Sequence, residues 1–247
     1  MLVIAHRGAS GYAPENSHSA ICRALEMNVD AIEIDLHCVE GELLVIHDRW
    51  LHRTTQARGQ LKDYTLAQLR EIDAGDGKPI PTLWEVLQLV DGRCDLNLEL
   101  KCEHTLIPTL KNLDQAVNAL NFTPNQFLIS SFNHHLLNES VSLQPKFATG
   151  ALIASCPIDY AAFAQQLGCY AIHLDIDFIN QAFVDDAKAR GLKVFVYTVD
   201  EESDIRYLEE LGVDGIFSNY PDKALRAVKR LDAEYPHQRQ GLIQLTR

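Results

Sequence analysis

The feature that most restricts the fold is a regular alternation running from residue 95 to beyond residue 221. Residues 95–101, 126–131, 147–152, 171–174, 193–199 and 215–218 read as short apolar strands. The stretches near 107–120, from 133, near 160–167, 180–190, 202–211 and from 221 carry helical periodicity between them. Strand then helix, repeated to the end, predicts parallel strands joined by crossover helices. The front of the chain adds strands at 2–6, 31–37 and 43–48, the last a second strand or hairpin arm that follows the turn at Gly41. The tally approaches the eight units of a closed (β/α)8 TIM barrel, and 247 residues is a length such barrels use as one domain. The rival, an open doubly wound sheet, wants a Gly-x-Gly-x-x-Gly turn after its first strand, which His6-Arg7-Gly8-Ala9-Ser10-Gly11 does not supply.

Two segments depart from the alternation. Residues 49–80 predict an insertion over one end of the fold, with a short helix at 64–72, and the tail from about 234 is polar with no clear period. Helices are expected at 17–27, capped by Asn16 or Ser17, and from Thr82 to about residue 90.

Charge and cysteine usage narrow the class of function. A net charge of −12 argues against nucleic acid as a partner, since phosphate backbones select clustered Lys and Arg. The six cysteines have no Cys-x-x-Cys pair, so they read as small buried thiols in a reducing compartment rather than as a zinc or disulfide framework. No apolar stretch approaches the ~20 residues of a spanning helix, and Met1-Leu2-Val3-Ile4-Ala5 lacks the lead of a signal peptide. A cytoplasmic protein without a stable membrane anchor is expected; oligomeric state is not legible.

The chemistry is concentrated where strands end. In Ala31-Ile32-Glu33-Ile34-Asp35-Leu36-His37 the apolar residues take one face of a strand while Glu33, Asp35 and His37 take the other. Two carboxylates buried on one face repel each other unless a cation compensates them, so the stretch predicts a divalent ion site rather than an exposed edge. Asn97, Glu99 and Lys101 repeat the pattern opposite three leucines. Arg7, beside His6, suits bidentate contact with phosphate, whereas Lys101 either offsets its acidic neighbours or grips a phosphate. His6 and His47 each close a strand; one can accept a proton while the other donates one to a leaving oxygen. Phe132 walls the mouth, and Ser131 lacks the setting of a nucleophile.

The ordered set His6-Arg7-Gly8, Glu15-Asn16-Ser17, Glu33-x-Asp35, His47-Asp48 and Asn97-x-Glu99-x-Lys101 resembles the signature of the glycerophosphodiester phosphodiesterase family. Ile80-Pro81-Thr82-Leu83, Ser131-Phe132 and Gly212-Val213-Asp214-Gly215-Ile216 extend the likeness over nearly the whole chain. The resemblance implies a (β/α) barrel with a small insertion after the second strand. It also implies one divalent cation on Glu33, Asp35 and Glu99, and a His6/His47 acid–base pair. Arg7 and Lys101 would hold the phosphate, while Glu15 would shape the first loop and contact a small glycerophosphodiester. Magnesium or calcium suits an all-oxygen site, with manganese also compatible. The attacking hydroxyl would be water or the glycerol 2-hydroxyl. A lysophospholipase D and a catalytically silent glycerophosphate-binding barrel are the alternatives; the first wants an apolar mouth, which Arg49, Arg53 and Arg58 do not favour. Two departures from the family pattern stand out. Tyr197-Thr198-Val199-Asp200 replaces Trp-Thr-Val-Asn and Ser218-Asn219 replaces Thr-Asp, and both are expected to alter the substrate wall, including Tyr197, rather than the chemistry.

Overall fold

Each strand of the barrel keeps one face for the helices and one for the interior, and that division positions everything else. The computed structural model describes residues 1–75, 77–228 and 241–243, so most of the tail expected from about 234 lies outside the described residues. The strands are β1 (Leu2–Ala5), β2 (Ala31–Val39), β3 (Glu42–Val45), β4 (Asp95–Leu100), β5 (Phe127–Ser131), β6 (Ala148–Ile153), β7 (Ala171–Asp175), β8 (Lys193–Tyr197) and β9 (Gly215–Ser218). Their order is β1-β9-β8-β7-β6-β5-β4-β2-β3, and β1 also pairs with β2. Eight parallel strands therefore close into a (β/α)8 TIM barrel. The ninth, β3, runs antiparallel to β2 as a hairpin arm outside the ring.

The helices are α1 (His18–Glu26), α2 (Leu66–Leu69), α3 (Leu83–Val90), α4 (Leu106–Ala119), α5 (His134–Leu143), α6 (Ala162–Gln166), α7 (Gln181–Ala189), α8 (Glu202–Leu211) and α9 (Pro221–Ala227). Ser17 caps α1 by accepting from the Ala20 N–H. Thr82 and Glu85 cap α3 reciprocally, which sets its start.

Ile32, Ile34 and Leu36 of β2, with Leu96, Leu98 and Leu100 of β4, pack outward into the main core under the helices. The intervening side chains point inward, and the β2–β4 register sets Glu33 beside Asn97 and Asp35 beside Glu99. Lower in the barrel the interior is apolar: Leu2, Ile4, Leu128, Phe195 and Phe217 fill it, and Leu242 covers them. Leu242 is held there by its N–H, donated to Asp95 Oδ2 at 2.5 Å, and by its carbonyl, which accepts from the Tyr170 hydroxyl at 3.0 Å. The acids and histidines of the site instead lie toward the C-terminal strand ends.

Between β3 and α3 the chain builds a small satellite core of Leu44, Ile46, Leu51, Leu61, Leu69 and Ile80. The helix expected at 64–72 is a single turn, α2. Thr65 and Gln68 cap its start, and the chain leaves at Arg70, whose guanidinium is directed to the Ile80 carbonyl and to Glu85.

Candidate active site

Two residues held in the left-handed region begin the site. Arg7 has φ 57° and Asn16 φ 58°, conformations that non-glycine residues adopt at a cost. The return is contact with carboxylates: the Arg7 N–H donates to Glu33 Oε2 at 2.8 Å, and Asn16 Nδ2 donates to Asp35 Oδ2 at 2.8 Å. Gly8, at φ +79°, lets this loop lie against α1, where a Cβ would meet the Ala20 carbonyl carbon at 2.7 Å.

Glu33, Asp35 and Glu99 converge, each offering an oxygen within 4.8 Å of the others. Burial, then repulsion from Asp35 and Glu99, pushes the Glu33 carboxyl well above its ordinary range. Burial and the Asp35 charge push Glu99 up to about 7. Asp35, despite its burial, is held down at about 2 by Lys101 and Arg7. Lys101 Nζ lies 2.5 Å from Glu99 Oε1 and 3.1 Å from Asp35 Oδ1, and Arg7 Nε lies 3.3 Å from Asp35 Oδ2. These cations neutralise only part of the cluster, because Glu33 Oε1 is buried without a hydrogen-bond donor. An orphaned carboxylate oxygen within an all-oxygen donor set fits a hard divalent cation.

The two histidines line the same cavity as Glu33 and Glu99, a space of about 330 Å³. Burial and the neighbouring Arg7 charge lower the His6 pKa to about 4. Its Nδ1 lies 2.8 Å from Asn219 Oδ1. His47, also lowered by burial, has its Nδ1 at 2.6 Å from Asp48 Oδ1. Asp48 is itself gripped by Arg53 of the insertion, and the Arg53 NH groups reach Glu15 at 2.6 and 2.7 Å. Glu15 in turn accepts from Arg7 NH1 at 2.9 Å. A chain of ion pairs thus joins the two histidine-bearing loops.

The sequence of this barrel matches the family model described as the glycerophosphoryl diester phosphodiesterase family over residues 6–223. The chain belongs to the glycerophosphoryl diester phosphodiesterase family. Membership makes it a phosphoric diester hydrolase. It is 35% identical over 239 residues, 93% of this chain and 98% of the relative, to a glycerophosphodiester phosphodiesterase of Caldanaerobacter subterraneus subsp. tengcongensis. A glycerophosphodiester phosphodiesterase of Bacillus subtilis is 33% identical, covering 90% of this chain and 84% of the relative. Among solved structures, an Oleispira antarctica phosphodiesterase in complex with the product sn-glycerol-3-phosphate superposes with a TM-score of 0.85 at 33% identity. That alignment covers 93% of this chain and 97% of the Oleispira chain.

In this phosphodiesterase His6, Arg7, Glu33, His47, Glu99, Lys101, Phe132 and Tyr197 border one cavity. Asp35 completes the acid cluster but is fully buried and does not line the cavity. Phe132 and Tyr197 meet edge to face at 6.0 Å, and the Tyr197 hydroxyl donates to the Ile153 carbonyl at 3.0 Å. Glu15 stands one layer back, occupied by Arg7 and Arg53. The departures at Asp200 and Ser218-Asn219 reach beyond the substrate wall: Asn219 Oδ1 lies 2.8 Å from His6 Nδ1, and Asp200 accepts from Asn219 Nδ2 at 2.7 Å.

Sequence reasoning also missed His173, which lines the cavity floor against Phe195 and Phe217. Neither ring nitrogen has a partner, and burial lowers its pKa to about 3. The unfolded chain protonates this ring near 6.5, the folded protein only near 3. The stability it contributes is therefore whole above pH 6.5 and lost as pH falls toward 3, at about 1.4 kcal/mol per pH unit. His6 acts with the same sign, down to about 4. His173→Leu is expected to shrink the fall in Tm between about pH 7 and pH 5. Thermal unfolding at the two pH values checks this, and an unchanged fall in the variant would refute it.

Proposed function

We propose that this phosphodiesterase hydrolyses glycerophosphodiesters such as glycerophosphocholine or glycerophosphoethanolamine in the cytoplasm, releasing the alcohol and sn-glycerol 3-phosphate. The observation that carries the reading is the convergence of three buried carboxylates with two histidines and two cations around one cavity of small-molecule size. The product bound to the Oleispira relative supports the same substrate class. Among the described residues, no helix is long and apolar enough to cross a membrane.

Glu33, Asp35 and Glu99 would hold one divalent cation, magnesium or calcium by donor type, with manganese also compatible. When bound, it supplies neutralisation of phosphate charge and a lowered pKa for the attacking hydroxyl. Arg7 and Lys101 bring positive charge to the same cavity and orient the phosphate. Phe132 and Tyr197 form the wall opposite.

The partners of the histidines divide their roles. A carboxylate stabilises the cationic form of an imidazole, and Asp48 sits on Nδ1 of His47. Burial lowers the pKa of His47 too, but of the two rings it is the one whose partner favours holding the proton delivered to the departing alkoxide. His6 has only the amide oxygen of Asn219 on its Nδ1 and is neutral, so it takes the proton of the attacking hydroxyl as that oxygen bonds to phosphorus and the bond from phosphorus to the leaving oxygen breaks.

The experiment compares glycerophosphocholine with lysophosphatidylcholine, which shares its headgroup and adds an acyl chain. With Arg7, Glu33, Glu99 and Lys101 lining the cavity, kcat/KM is expected to favour the unacylated substrate by about tenfold or more, with sn-glycerol 3-phosphate as product. Preference for the acylated substrate would make the protein a lysophospholipase D, and binding without turnover would make it a sensor.

A further inference from the structure

Behind His6 lies a set of hydrogen bonds whose directions follow from one charge. Asp200, just after β8, accepts from the Asn219 N–H at 2.8 Å and the Ser218 hydroxyl at 2.9 Å through Oδ1, and from Asn219 Nδ2 at 2.7 Å through Oδ2. A carboxylate only accepts, so the amide nitrogen of Asn219 must face it. The amide oxygen then points the other way, 2.8 Å from His6 Nδ1 and 2.8 Å from Ser10 Oγ. An amide oxygen also only accepts, so Nδ1 of a neutral His6 bears the hydrogen and Nε2 keeps its lone pair.

We propose that Asp200 is a positioning residue for the hydrolysis: acting through Asn219, it holds His6 in the Nδ1–H tautomer that leaves Nε2 free to take a proton. The proposal rests on the reading of His6 as a proton-transfer group. Without charge at position 200, an asparagine there could pair with Asn219 in either orientation. The flipped one would aim an amide N–H at Nδ1 and select the opposite tautomer. What Asp200 contributes is thus a direction, and the backbone supports it: the His6 N–H donates to the Ser218 carbonyl at 3.0 Å and the Val199 N–H to the Phe217 carbonyl at 2.8 Å, tying the three loops together.

The test combines kinetics with nitrogen NMR of histidine-labelled protein, the His6 signals being assigned by their loss in His6→Gln. Wild type is expected to show His6 as the Nδ1–H form; finding Nε2–H would overturn the proposal whether or not any variant folds. Asp200→Asn, of equal size, is expected to lose that preference and to lower kcat about ten- to a hundredfold with KM changed by less than about twofold. The double exchange Asp200→Asn with Asn219→Asp again presents only acceptors to Nδ1, and is expected to restore the tautomer and most of kcat. A wild-type kcat in Asp200→Asn, or a kcat lost while the tautomer stays, would overturn the proposal. A wild-type rate in His6→Ala would instead remove the functional reading beneath it.

Discussion

Alanine at His6 or at His47 is expected to lower kcat on glycerophosphocholine by about 10²- to 10⁴-fold, the range spanned by a positioned acid or base. Neither ring belongs to the packed core. His6 is held by one side-chain hydrogen bond at 2.8 Å and His47 by one at 2.6 Å, so Tm is expected to move by only a few degrees. The two variants should then part company on a substrate with an activated leaving group. A p-nitrophenyl ester of glycerol 3-phosphate releases a phenolate that needs no proton, so His47→Ala is expected to recover most of its loss while His6→Ala does not. Recovery in His6→Ala instead would exchange the assigned roles. Substantial turnover of glycerophosphocholine in both variants would end the acid–base description.

Removal of divalent cations is the second large effect. Charge stabilisation by a bound cation is worth several kcal/mol, so chelation is expected to cost about a thousandfold or more in turnover. Restoring magnesium, calcium or manganese singly then ranks them. A readout besides activity comes from proton linkage. Without a cation, the Glu99 pKa lies at about 7, above its ordinary 4.5. A folded-state pKa raised in this way gives stability that is whole below pH 4.5 and lost as pH rises through about 7. Glu33 is raised in the same direction. Added cation is therefore expected to raise Tm more at about pH 8 than at about pH 5.5, and Glu99→Gln to diminish that gain. Full turnover after chelation, or an equal gain in the variant, would contradict a carboxylate-held cation.

The barrel is legible because each of its strands states its two environments locally. Leu96, Leu98 and Leu100 against Asn97 and Glu99 already say that one face meets helices and the other something polar. The same alternation exposes Glu33 and Asp35, and strand ends expose His6 and His47. Residues 43–48 fit a barrel strand or a hairpin arm equally well, because four apolar residues after a turn satisfy both; pairing to β2 alone decides it. The supporting groups are less visible. Asn16 reads as an ordinary helix start, and its left-handed backbone is set only by contact with Asp35. Arg53 looks like an ordinary solvent-facing arginine until the insertion folds over Glu15. Asn219 lies 213 residues from His6, a separation that no local pattern bridges.

That separation has a consequence for biosynthesis. β1 is hydrogen-bonded on both sides, to β2 and to β9, so the barrel's first strand waits for its last before its second neighbour exists. Long-range pairing of this kind is slow and leaves an unpaired border on the nascent polypeptide. The histidine just after that strand acquires its amide partner only at the same moment. Closing the ring and completing the catalytic pocket are therefore one event, and competence does not accumulate strand by strand.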